Sequence, residues 1–89
     1  MPLISAFYGI AIMMFFFDNR RHSRPHIHAQ YAEHEALIDI DNGEVLEGDL
    51  PTSRMKLVQA WIEIHDAELV TDWRLAIQGR QLNKIEPLR

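Results

Sequence analysis

The sequence predicts an α+β fold: an antiparallel β-meander of three to four strands, then one long and one short helix packed on one face, then a short C-terminal extended tail. Three observations predict it. Residues 26–31 and 35–41 alternate in period two, the signature of half-buried strands. Asn42-Gly43, the strongest short hairpin signal, stands between two such runs. From Thr52 onward the apolar residues recur at steps of three and four, which is one face of a helix. Strands grouped ahead of helices indicate α+β rather than alternating βαβ units.

The first strand is expected over residues 5–17, a run rich in Ile, Phe and Tyr. In period two, Ile10, Ile12, Met14 and Phe16 share one side, and Ala11, Met13, Phe15 and Phe17 the other. Both sides are apolar, so both need cover: one from the protein's own helix, the other from a second subunit or a partner. Ile12, Met14 and Phe16 are therefore expected at an interface, and Gly9 at a bulge.

Residues 18–25 form a polar loop with three Arg and a His, the one concentration of positive charge in the chain. Residues 26–31 and 35–41 read as a hairpin. Placing Ile27 opposite Ile38 and Ala29 opposite Ala36 requires a turn centred on Ala32-Glu33. That register puts His26 opposite Asp39 and His28 opposite Leu37, because a one-residue slip would invert every side chain. A type I′ turn at Asn42-Gly43 would pair Ile40 with Val45 and Asp39 with Leu46.

Pro51 suits a helix start, with Thr52 or Ser53 as cap. Leu57, Trp61, Ile64, His65, Glu68 and Leu69 follow on one face. Thr71 or Asp72 is expected to break this helix and cap a short second one that carries Trp73 and ends at Gly79. Lys84-Ile85-Glu86-Pro87-Leu88 reads as a short extended tail or an edge strand, with Pro87 barring further pairing.

A chain of 89 residues makes one domain, residues 1–89. It buries only roughly 60–65% of its unfolded surface, so its core is marginal and gains from a partner. The absence of Cys excludes disulfides and thiolate metal sites and fits a reducing cytoplasm. A net charge of −4 makes the chain a poor general polyanion binder unless a local basic patch overrides the average. Residues 3–17 are too short to span a bilayer, which takes roughly 20 apolar residues, so no membrane association is expected.

Several motifs resemble a family of small bacterial proteins known as domain of unknown function 4160. They are Ser5-x-Phe7-Tyr8-Gly9-Ile10, Pro25-His26-Ile27-His28-Ala29-x-Tyr31, Leu37-Ile38-Asp39-Ile40, and Gly48-x-Leu50-Pro51 ahead of Trp61 and His65. The Trp73 region and the closing Lys84-Ile85-Glu86-Pro87-Leu88 extend the likeness over nearly the whole chain. The resemblance implies a cytosolic bacterial protein paired with a small neighbour from another family, numbered 2442, as one component of a toxin–antitoxin-like pair. It carries over no catalytic residue. The chain departs from the family pattern at Met14 and Phe16, where alternating polar residues are expected, and at Arg24, where a second Pro is expected.

Three chemistries fit the central constellation. His26 and His28 are candidate ligands for zinc or another divalent metal, since strand residues two apart share a face, with His22, His34 or Asp39 as the third. His26, His28 and Asp39 are candidates for metal-free acid–base catalysis, with Arg20, Arg21 and Arg24 holding a phosphate or RNA, as in a small phosphodiesterase or ribonuclease. In the plain structural reading, which needs no cofactor, the two His hydrogen-bond to neighbours on a half-buried sheet. Asp41, Glu44, Glu47 and Asp49 read as a solvated rim, and Trp61, Trp73 and His65 as core or boundary residues. The leading functional expectation is a module acting through a small protein partner encoded nearby, through a homodimer, or both. Its active or recognition surface is the His/Arg face. The alternatives are the phosphodiesterase and a purely structural binding module.

Overall fold

The computed structural model describes residues 2–17 and 23–89. Five antiparallel strands form one open sheet in chain order, β1-β2-β3-β4-β5, and two helices follow. The strands are β1 (Leu3–Phe7), β2 (Ile10–Met13), β3 (His26–Tyr31), β4 (His34–Asp39) and β5 (Val45–Gly48). The helices are α1 (Thr52–Ile64) and α2 (Asp66–Ile77).

The expected first strand is two strands folded into a hairpin. Tyr8 and Gly9 both take left-handed backbone angles, φ 50° and 76°, the signature of a type I′ turn, and Phe7 pairs with Ile10. Only Gly9 announces such a turn. Tyr8 adopts it at a cost of about 1–2 kcal/mol, offset by the apolar surface the hairpin buries. β2 ends at Met13, and Phe16 and Phe17 lie in a turn beyond it.

The central hairpin has the expected register: His26 faces Asp39, Ile27 Ile38, His28 Leu37 and Ala29 Ala36. The next turn differs. Gly43 is left-handed and Asn42 is not, so the turn is not type I′. The Asp39 carboxylate accepts the backbone N–H of Asp41 at 2.6 Å and of Asn42 at 3.3 Å. The Gly43 amide donates to the Asp39 carbonyl at 2.9 Å. The Asp39 side chain thus winds residues 40–44 into a wider loop. Val45 consequently pairs with Ile38, two residues from the expected register, and a bulge follows between Ile38 and Leu37.

Pro51 itself is the N-cap of α1, without a side-chain cap from Thr52 or Ser53. The helical segment breaks at His65 rather than at Thr71 or Asp72, giving helices of 13 and 12 residues. His65 caps α2, its Nδ1 lies 2.6 Å from Glu68 Oε1, and Asp66 and Glu68 place negative charge at the positive end of the helix. Thr71 bonds back to the Ala67 carbonyl at 3.1 Å and so stays within the helix.

The core lies between the helices and one face of the sheet. Ile4, Ile10, Ile12, Met14, Ile27, Ala29, Ile38 and Ile40 meet Val58, Trp61, Ile62, Leu69, Trp73 and Ala76. The tail runs back to β1, where the Ile85 amide donates to the Ile4 carbonyl at 2.8 Å and Ile85 is buried. The Trp61 indole N–H donates to the Glu86 carbonyl at 2.8 Å, fixing the tail to α1. Among the described residues no helix is long and apolar enough to cross a membrane.

Candidate functional site

Alternation along β3 puts Ile27 and Ala29 on one face of the sheet and His26 and His28 on the opposite one. His26 is fully buried and His28 is 5% exposed. His26 Nδ1 lies 2.8 Å from the Arg24 carbonyl, which can only accept, so Nδ1 carries the proton and the tautomer is fixed. The His26 ring also lies against Trp73, at 5.1 Å between centroids. His28 meets Phe15 edge-on at 4.6 Å, and its Nδ1 lies 3.8 Å from Glu35. The two imidazoles are 5.4 Å apart.

Arg24 organises this corner. Its guanidinium bonds the buried Asp39 carboxylate at 2.6 Å and the exposed Glu44 carboxylate at 2.9 Å. The hydrogen bond to Glu44 raises the Arg24 pKa above its ordinary value; desolvation opposes this, and the charges of Asp39 and Glu44 add to it. His26 and Asp39 are thus tied through one residue: the Arg24 carbonyl holds the ring and the Arg24 guanidinium holds the carboxylate. An arginine bridged to two carboxylates is poorly placed to clamp a phosphate as well.

Arg20, Arg21 and His22 lie outside the described residues. Among the described residues no group of three or more His, Asp and Glu side chains is arranged to hold a metal ion. Of the expected interface residues, Ile12 and Met14 are fully buried in the protein's own core, because the helices cover that side of β2. Phe16 alone of the three is displayed, at 45% exposure.

Phe16 belongs to a larger apolar surface. Phe17 beside it is also 45% exposed and holds a left-handed φ of 59°. Its amide donates to the Ala76 carbonyl at 3.1 Å, at the end of α2. Its ring lies over Gly79, where an added Cβ would stand 2.8 Å from the ring. Phe16 and Leu3 line a cleft of about 390 Å³ together with Pro2, Gln81, Leu82 and Lys84. Leu3 and Ile77 are themselves exposed apolar residues. Sequence reasoning placed Phe17 in the apolar first strand without singling it out, and missed Leu3 and Ile77; the one signal was the unbroken run Phe15-Phe16-Phe17, more apolar surface than one strand end needs.

The fold and this surface define a small α+β module with a closed core and an apolar end. The family model described as domain of unknown function (DUF4160) matches residues 9–74, and the chain belongs to that family. The match runs from the turn before β2 into α2. Comparison with curated proteins and with solved structures finds no match.

Proposed function

We propose that this chain is a small protein-binding module that acts through a partner protein, as one component of a toxin–antitoxin-like pair, and that the apolar end built on Phe16 and Phe17 is its contact surface. The pairing is what the family resemblance implies. The observation that carries the binding role is Phe17. A bulky residue held in a left-handed conformation by the end of α2, while remaining partly exposed beside Phe16, is strain kept at a displayed apolar site. The burial of His26 and the engagement of Arg24 support a structural role for the His corner, which braces the turn after β4.

The test is co-expression with the small protein encoded beside it, followed by sedimentation of the purified mixture. A hetero-complex is expected, weakened about tenfold or more by Phe16→Ser with the fold intact. Growth on inducing each protein alone and both together then assigns the toxic side. A homodimer that excludes the neighbour, or a complex indifferent to Phe16→Ser, would sink the assigned surface. A lone monomer under all conditions would sink the module itself.

A further inference from the structure

We infer that the cleft at the apolar end takes an acidic segment of the partner protein, whose bulky apolar side chain enters beside Leu3, Phe16 and Leu82 and whose carboxylates meet Arg80 and Lys84. The inference deepens the partner-binding reading above and rests on it. The cleft is built before anything binds. Gly79 follows α2 with φ 68°; its amide donates to the Ala76 carbonyl at 3.1 Å and the Arg80 amide to the Leu75 carbonyl at 2.9 Å. These two bonds form a Schellman motif, which sets the direction in which residues 80–82 leave the helix. Farther on, the Asn83 amide donates to Asp72, the Lys84 ammonium to the Leu3 carbonyl and the Ile85 amide to the Ile4 carbonyl. The segment holding Gln81 and Leu82 is thus tied down on both sides, and Leu82 packs on the core. Leu3 and Phe16 stay 40% and 45% exposed beside it. A wall held in place beforehand loses little freedom when a side chain enters.

The charge at this end has one sign. Among the described residues that line the cleft, Lys84 is charged and none is a carboxylate. From residue 74 to residue 85 the chain carries Arg74, Arg80 and Lys84 and no Asp or Glu, although its net charge is −4. Arg80 is exposed and adjoins Gln81, which lines the cleft. Among the described residues the arginines in ion pairs are Arg24 and Arg89, so Arg80 is available. Lys84 uses one of its three N–H groups on Leu3 and keeps two. The negative end of α2 accounts for Arg74 in its last turn without any ligand. Arg80 and Lys84 stand outside the helix, and that account does not reach them. The apolar residues accept an apolar anchor of any charge, and the cations choose among anchors. An acidic segment gains from both features, and a basic one is repelled. A second copy of the same end would set Arg80 and Lys84 against their own kind. Ion pairs at an exposed rim add modestly to affinity, fade with salt and mainly speed the encounter.

The experiment titrates the whole isotope-labelled protein at low salt with a peptide of about twelve residues, a central Trp flanked by alternating Glu and Ser. A peptide with Lys in place of Glu, and an acidic one with Ala in place of Trp, serve as controls. The acidic Trp peptide is expected to shift the amides of Leu3, Phe16 and residues 81–84, and either control should bind about tenfold more weakly. Arg80→Glu should weaken the acidic Trp peptide about fivefold, while Arg80→Lys, which keeps the charge, leaves it nearly unchanged. Equal binding by the Lys peptide would leave an apolar contact without charge selection and overturn the inference. Equal binding by the Ala peptide would leave charge without a cleft and overturn it too, as would shifts confined to other parts of the molecule. A dimer of the protein alone that Phe16→Ser dissolves would seat a second copy there instead. Capture by phosphatidylserine vesicles that the acidic Trp peptide fails to reverse would seat a membrane, and either result overturns the inference. The two readings separate in the partner complex. If Phe16→Ser disrupts it and Arg80→Glu does not, the module stands and the acidic occupant fails. If neither disrupts it while the peptides behave as expected, the preference of the cleft stands and its assignment to this partner fails.

Discussion

The two edges of the sheet are finished in opposite ways. At β1 the protein covers its own edge. Ile85 is buried against the core and bonds Ile4, the Lys84 ammonium reaches the Leu3 carbonyl, and Asn83 and Glu86 are pinned by Asp72 and Trp61. Among the described residues no comparable cover is laid along β5, which is short, bulged and acidic. The contrast follows from composition. β1 carries Ile4 and Phe7, and a bare apolar edge invites aggregation, so it needs a cover. β5 carries Glu47 between Glu44 and Asp49, and such charge deters pairing with like strands.

The largest expected effect comes from breaking the attachment of β5. Gly48 holds φ 71°, and a Cβ there would lie 2.1 Å from the Glu35 carbonyl oxygen. Gly48→Ala is expected to cost about 3 kcal/mol or more, read by urea denaturation, because both backbone angle and space forbid the side chain. A cost under about 1 kcal/mol would mean that β5 adds little to the fold. Removing the cover of β1 comes next. Ile85→Ala should cost about 2–4 kcal/mol and speed amide exchange in β1 but not in β5. Equal acceleration at both edges would erase the distinction between them.

Asp72, which anchors the cover, gives a subtler test. It is fully buried, accepts the Asn83 amide at 2.9 Å through Oδ1, and has no hydrogen-bond partner at Oδ2 among the described residues. Burial raises its pKa above 3.8, with the Asn83 amide opposing the shift. The folded protein therefore binds this proton more tightly than the unfolded chain does. The stability Asp72 confers is full below the unfolded pKa and is lost as pH rises through the folded one. Asp72→Asn is expected to stabilise the protein at neutral pH, with the gain closing toward acid. Denaturation at both pH values checks this, and a gain that persists unchanged in acid would contradict it. The smallest effect is expected at the turn between β3 and β4, away from both edges. Ala32 has φ 52°, so Ala32→Gly should stabilise by about 0.5–1 kcal/mol in thermal unfolding, without altering exchange at β1 or β5.

These elements differ in how openly the sequence announces them. The β3–β4 register was legible to the residue, because alternation of Ile27 and Ala29 against Ile38 and Ala36 admits one alignment with the apolar face inward. The helix face was legible at Trp61 and Leu69 but not at Ile64, which is expected on that face and is 64% exposed. The Tyr8-Gly9 turn was not, since tyrosine does not advertise a left-handed angle and apolar residues continue on both sides. The turn at Asn42-Gly43 misled because Asp39, three residues earlier, captured the amides that a type I′ turn leaves in place. The helix break moved to His65 because Thr71 satisfied its hydroxyl within α2.

The site divides along the same line. By itself the sequence determined the α+β class, the facing of His26 and Asp39, and the acidity of residues 41–49, since period, register and charge are local properties. Tertiary structure decided which of the apolar residues in the first segment remained available. Ile12 and Met14 vanished beneath the helices while Phe16 and Phe17 stayed at the surface, and Arg24 was spent on Asp39 and Glu44. Those outcomes depend on what packs against each side chain from distant parts of the chain, and a periodic pattern records only that a face is apolar, not what covers it.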